Sequence, residues 1–275
     1  MTILDEIFAH KRSEVAQKER EKSLDLVQVE AAQADPALDF VAALRRFSGK
    51  APRAFSPAVI AEVKRASPSK GIFREDLDPI RLARLYRRNG AAAISVLTDE
   101  RYFQGSLEHL RSIRRDFERA APRVPLLRKD FIFDPYQIYE ARAAGADCVL
   151  LIAAHLSAEQ LVQLHSLALD LGMTALVEVH SQAELEMALA CEPRLVGINN
   201  RDLRDFSVSL ETTTRLSESV PQEVCLVAES GIHSRKDIDF LAGTKVDAVL
   251  VGEALVTAPD IAAKVRELAG VEAVA

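Results

Sequence analysis

The sequence predicts an α/β protein built as a (β/α)8 barrel, with a helical extension in front of it. Three observations predict it. From Pro57 onward, short β-rich runs alternate with amphipathic helical patterns of about 10–15 residues, the signature of parallel strands covered by helices. Eight strand candidates are present, each followed by a helical segment, in a length that suits a barrel. Polar residues recur at the C-terminal ends of those apolar runs, which is where a parallel barrel opens its functional rim.

The elements follow in order. Leu4, Ile7 and Phe8 have helical spacing, and the charged run to about Glu21 reads as one surface helix. A second helix is expected over DFVAALRRF, with Asp39 as its N-terminal cap. GKAPRAFSP then breaks the pattern with Gly and Pro. Residues 1–56 are therefore expected to form an extension packed on the barrel mouth, and residues 57–275 the barrel. The strand candidates are AVIAEVK (58–64), AAISVLT (92–98), VPLLRKD (124–130), DCVLLIA (147–153), TALVEVH (174–180), RLVGINN (194–200), EVCLVAE (223–229) and DAVLVGE (247–253). Gly90, Gly145, Gly172 and Gly243 precede four of them and suit helix C-termini. DPIRLARLYRRNG and SQAELEMALAC show the amphipathic spacing of the covering helices. An open doubly wound sheet would carry a glycine-rich phosphate turn after its first strand. Here KRASPSKGIF follows instead, without GxGxxG or GKS/GKT.

Composition narrows the function classes. The 275 residues are 48% hydrophobic, enough for a large core. The net charge of −6, with both signs interspersed and no Trp, gives no footprint for nucleic acid. No stretch is long and apolar enough to span a bilayer, and the charged N-terminus lacks a signal-peptide pattern. Cys148, Cys191 and Cys225 form no CxxC pair and read as reduced thiols of a cytoplasmic protein. The six histidines show no ligand spacing, so metal catalysis is not expected.

The strand-end residues carry the chemistry. Residues two apart on a strand share a face, so Glu62 and Lys64 point the same way. Lys129 shares a face with Leu127, Glu178 with Leu176, and Glu229 with Val227. On a closed barrel, Glu62, Lys64, Lys129, Glu178, Asn199, Arg201 and Glu229 converge on one rim. Charges beside buried strands are costly unless paired or used. Two lysines and an arginine can hold an anionic substrate. Carboxylates beside a lysine keep it protonated for general-acid work, and another carboxylate can take a proton elsewhere on the substrate. A Schiff-base lysine, as in an aldolase-like barrel, is the alternative chemistry. After strands seven and eight, ESGI (229–232) and VGEAL (251–255) stand where barrels often bind phosphate. Gly231 and Gly252 permit close backbone approach there, and Glu253 would offer its N–H with its carboxylate turned away. SPSKG (67–71) reads as a mobile loop able to close over ligand.

These residues resemble the indole-3-glycerol phosphate synthase family. The matching pieces are ILDEIFAHKR, IAEVKRASPSKG, SVLTDERYFQGS, LLRKDFI, LVEVH, GINNRDL, VAESGI and LVGEAL, in order from residue 3 to about 255. EVKRASPSKG combined with LRKDFI and INNRDL is specific; VAESGI and LVGEAL occur in other phosphate-binding barrels. The resemblance implies ring closure, decarboxylation and dehydration of an anthranilate-substituted deoxyribulose 5-phosphate, without cofactor or obligate protein partner. It makes Lys129 the general acid at the sugar carbonyl and Glu178 the base that assists dehydration. Lys64 and Arg201 hold the substrate's anionic groups, with later proton donation by Lys64 left open, and Glu62 orients and charges the lysines. Asn199, Glu229 and Ser230 line the substrate, and Phe103 and Phe131 form an apolar wall. Ser67, Gly231, Gly252 and Glu253 contact the phosphate.

Overall fold

The computed structural model describes residues 3–47, 56–68, 70–118, 123–202 and 207–272. Three helices lead the chain: α1 (Ile3–Glu21), α2 (Leu24–Gln33) and α3 (Phe40–Phe47). Strand β1 (Ala58–Val63) follows, then a two-stranded antiparallel hairpin of β2 (Ala66–Ser67) and β3 (Gly71–Ile72). The alternation continues with α4 (Pro79–Arg88), β4 (Ala91–Leu97), α5 (Leu107–Phe117), β5 (Leu126–Lys129) and α6 (Pro135–Ala143). Next come β6 (Cys148–Ile152), α7 (Ala158–Asp170), β7 (Thr174–Val179), α8 (Gln182–Leu189), β8 (Leu195–Asn199) and α9 (Glu211–Ser217). The chain ends with β9 (Cys225–Glu229), α10 (Arg235–Phe240), β10 (Ala248–Val251), α11 (Glu253–Val256) and α12 (Ile261–Ala269).

Strand β1 pairs in parallel with both β4 and β10, which closes an eight-stranded barrel in chain order. Each strand lies inside its expected run or within one residue of it. Side-chain alternation then builds two cores. Val59, Val63 and Val177 face outward into the layer beneath the covering helices. Ile60, Leu127, Leu176 and Val227 face inward and fill the barrel. Local signals set the helix ends. Asp78 accepts hydrogen bonds from the Ile80 and Arg81 N–H groups and precedes Pro79, so α4 starts there. Gly90, Gly145 and Gly172 adopt positive φ at helix ends. Gly243 does not; it closes a short 3-10 turn over Leu241–Gly243, and its expected left-handed cap is replaced by that turn.

The extension wraps the barrel from one end to the other. On α1, Leu4, Ile7 and Phe8 join the inner core at the C-terminal strand ends, beside Phe131. Helix α2 packs along α6, and Arg142 of α6 bonds the Ala34 carbonyl at 3.1 Å. Helix α3 lies at the opposite end. Its Phe40, Val41 and Leu44 are buried against Ala58, Ala92, Cys148 and Cys225, all near strand starts. The Leu38 N–H bonds Asp147, and Arg194 pairs with Asp39, both just ahead of strands. Residues 1–56 were expected on the mouth as a unit; α3 instead plugs the bottom, because its apolar face fits the open inner core there. Asp39 also accepts from the Ala42 N–H at 3.0 Å, capping α3. Helix α2 had no sequence expectation: its inward stripe of Leu24, Val27 and Ala31 is short, and the exposed Leu26 and Val29 beside it blur the pattern.

Candidate active site

The expected site residues meet in one cavity of about 190 Å³ at the C-terminal ends of the strands. Lys129, Glu178, Lys64, Glu62 and Asn199 line it, with Arg201, Glu229, Ser230, Phe103 and Phe131. Ser67, Gly231, Gly252 and Glu253 line it too. From α1, Ile3, Leu4 and Ile7 complete the wall, a contribution no strand-end pattern could have announced.

Lys129 ends β5 at the centre. Its Nζ lies 3.1 Å from Glu178 Oε2 on β7 and 3.5 Å from Glu229 Oε2 on β9. Burial opposes the ammonium charge, but Glu178, Glu229 and Glu62 outweigh it and hold Lys129 protonated far above neutral pH. The two carboxylates then divide. Burial pushes both up; Lys129, His180 and an Asn199 hydrogen bond outweigh it at Glu178 and hold that carboxyl below its ordinary value. Burial and the Glu178 and Glu62 charges raise the Glu229 pKa above the ordinary carboxylate range, against the pull of Lys129, and the two carboxylates titrate as a coupled pair.

Room for these groups comes from glycines. A Cβ on Gly197 would sit 2.2 Å from Glu229 Oε1, and one on Gly252 would sit 2.4 Å from Glu62 Oε1. Sequence reading gave Gly197 no role, although glycine inside a strand often marks such close approach. Ser230 and Gly231 both adopt positive φ, at +63° and +79°, so the chain turns sharply into the cavity after β9. That strain at a non-glycine residue is held by the Ser230 hydroxyl, which donates to Asn199 Oδ1 at 2.8 Å. Asn199 Oδ1 also accepts from the Arg201 N–H at 3.0 Å. Asn200 secures the same corner, donating to the Glu229 carbonyl at 2.9 Å.

Lys64 stands on the other side. Its Nζ is 3.6 Å from Glu62 Oε1 and lies over the rings of Phe103 and Phe73 at 5.5 and 5.8 Å. Phe103 packs against Phe131, and Phe131 against Phe8 of α1, making an apolar wall beside the cations. The segment SPSKG is the tip of the β2–β3 hairpin rather than an open loop, and its Ser69 lies outside the described residues. Lys70 of that tip pairs with the Glu253 carboxylate.

Two charged residues escaped sequence reading. His180 lies beside Glu178; it shares a face with it at i+2 in TALVEVH, the signal that could have found it. Lys11 is buried on α1, with Nζ 2.9 Å from Asp99 and 3.1 Å from Asp130, the residue after Lys129. It continues the apolar stripe of Leu4, Ile7, Phe8 and Val15, an odd place for a lysine that pairs with nothing. Among the described residues no His, Cys, Asp and Glu group is arranged to hold a metal ion, and no helix is long and apolar enough to cross a membrane.

The family model for indole-3-glycerol phosphate synthase matches residues 4–268. This chain belongs to the indole-3-glycerol phosphate synthase family. An indole-3-glycerol phosphate synthase from Roseiflexus castenholzii is 56% identical over 273 residues, covering 98% of each chain. One from Chloroherpeton thalassium is 46% identical over 263 residues, covering 96% of this chain and 98% of that one. Among solved structures, KGPDC from Streptococcus mutans superposes with a TM-score of 0.59 at 11% identity, covering 78% of this chain and 95% of that one. That likeness concerns the fold: both are (β/α)8, or TIM, barrels. Within the indole-3-glycerol phosphate synthase match fall α1 from Leu4 onward, all eight barrel strands and every cavity-lining residue named above except Ile3.

Proposed function

We propose that this chain closes an anthranilate-substituted deoxyribulose 5-phosphate to indole-3-glycerol phosphate, releasing carbon dioxide and water, as a carboxy-lyase of tryptophan biosynthesis. The observation that carries this reading is Lys129 held between Glu178 and Glu229 at the barrel mouth, where their charges favour its ammonium form. A buried ammonium is a strong hydrogen-bond donor to a carbonyl oxygen on which negative charge develops. Lys129 polarises the sugar carbonyl; the carbonyl carbon accepts the aromatic ring carbon that bears the carboxylate, and Lys129 transfers its proton to the oxygen. Loss of carbon dioxide restores aromaticity. Glu178, kept ionised, then takes a proton while the hydroxyl leaves as water, with Lys64 as the proton donor to it. The carboxylates that favour a charged Lys129 also disfavour the neutral amine a Schiff base requires.

Placement supports the binding roles. Lys64 and Arg201 hold the anthranilate carboxylate, and Glu62 keeps Lys64 charged and aimed. Phe103 and Phe131 cover the aromatic ring. Asn199, Glu229 and Ser230 shape the centre, and Ser67, Gly231, Gly252 and Glu253 take the phosphate at the other end. Fixing both ends folds a flexible substrate toward its reactive conformer. Residues 1–56 act as an extension of the 57–275 barrel, α1 roofing the mouth. The enzyme works in the cytoplasm without an obligate protein partner. The test is a fluorescence assay for indole-glycerol product from the sugar phosphate. Product is expected from the wild-type chain, and Glu178→Gln should slow turnover by about 10²–10⁴-fold. Folded wild-type protein that yields no product contradicts the reading.

A further inference from the structure

His180 follows β7 and stands between two carboxylates. Its ring Nδ1 is 3.2 Å from Glu184 Oε2, and its backbone N–H donates to the same oxygen at 2.8 Å. Glu184 is pinned there on α8, since its other oxygen accepts from the Ser181 hydroxyl at 2.9 Å. On the opposite side of the ring, Nε2 lies 3.4 Å from Glu178 Oε1. Nε2 is buried and has no hydrogen-bond partner among the described residues, so this carboxylate is what it faces. Glu178 uses its other oxygen, Oε2, for Lys129.

A neutral imidazole has one N–H and one lone pair. Between two ionised carboxylates, a neutral ring must turn a lone pair toward one of them. Only the doubly protonated ring donates to both. We propose that His180 is a positioning residue for Glu178, acting as an imidazolium that holds Oε1 and leaves Oε2 to Lys129 and the substrate. This deepens the reading in which Glu178 is the base, and rests on it. The other titratable groups around this cluster are Glu229 on β9, His155 after β6, whose burial lowers its pKa, and Lys129 on β5, which reaches Glu178 from the other side. Burial opposes the imidazolium, but the Glu184 bond and the Glu178, Glu184 and Glu229 charges prevail and raise the His180 pKa above 6.5. The sign follows: the orienting contact is present at low pH and is lost as pH rises through the raised pKa. Loss of the Nε2 proton turns the contact with Oε1 repulsive and frees the carboxylate to rotate.

The test combines ¹⁵N NMR of histidine-labelled full-length protein with steady-state kinetics. His180→Gln identifies the ring's resonances by their disappearance. Both ring nitrogens should be protonated at pH 6.5, and the midpoint should move to lower pH in Glu184→Gln. In His180→Gln, kcat should fall on the order of 10–100-fold with KM little changed, and an alkaline inflection should vanish from the kcat profile. A neutral ring at pH 6.5, or a His180→Gln profile with unaltered shape and kcat, overturns the proposal. These outcomes are separate from failure of the base assignment, which would appear as full activity in Glu178→Gln.

Discussion

At the residue scale, the site is a problem of charge placed where water is scarce. Lys129 keeps its proton because Glu178, Glu229 and Glu62 outweigh its desolvation, and the two nearer carboxylates separate because one cation cannot satisfy both. Glu229 fits only because Gly197 has no side chain. Gly197→Ala should push the Glu229 carboxylate toward Lys129, cost about 1–3 kcal/mol of stability as overpacking does, and lower kcat. Urea denaturation and steady-state rates check it; unchanged values for both would show that the carboxylate has another place to go. Most of these residues could be read from sequence, because strand parity and strand ends locate them without any knowledge of packing. His180 shares that parity with Glu178, but its role shows only in the contacts its ring makes, 3.4 Å from Glu178 and 3.2 Å from Glu184. Gly197 is legible only across strands, where a Cβ on it would run into the Glu229 carboxylate.

At the element scale, α1 is fastened by ions rather than by its apolar stripe alone. Lys11 bridges Asp99 and Asp130, and Asp130 also accepts from Thr98 at 2.6 Å and pairs with Arg128 at 3.0 Å. Arg128 in turn reaches Glu140 on α6 at 2.7 Å. Burial would raise the Asp130 pKa, but Arg128, Lys11 and the Thr98 bond drive it well below the ordinary aspartate value of 3.8. A depressed native pKa stabilises the fold above the unfolded value, and that stabilisation disappears as pH falls through and below it. Acid should therefore loosen this network, beside Lys129. Asp130→Asn should lower stability at neutral pH by roughly 3–5 kcal/mol, as breaking a buried pair does. It should also flatten the loss of urea stability on acidification. An equally steep acid loss in the variant would place the linkage in other carboxylates. A lysine on an amphipathic helix reads as solvated from sequence; only the position of its partners on two later loops explains its burial.

At the scale of the whole molecule, the extension is a strap that closes both ends of the barrel. Helix α1 walls the catalytic cavity, whereas α3 fills the opposite opening with Phe40, Val41 and Leu44. The two ends should respond differently to mutation. Leu44→Ala should cost about 2–5 kcal/mol by leaving a cavity, with kcat and KM near wild type while the protein stays folded. A large fall in kcat at full folding would mean that the bottom plug is coupled to the site. The barrel itself was readable from eight strand runs and their polar ends, since period and punctuation are local properties. The path of the strap was not, because an apolar helix face does not state which end of the barrel it covers. The chemistry assigned to that barrel is tested most directly by rapid-quench mass spectrometry of a single turnover. Wild-type enzyme should convert the sugar phosphate to the decarboxylated and dehydrated product. Lys129→Ala should leave it unchanged, and Glu178→Gln should accumulate a species that has lost carbon dioxide but retains water. Normal decarboxylation by folded Lys129→Ala would contradict Lys129 as the acid that drives ring closure.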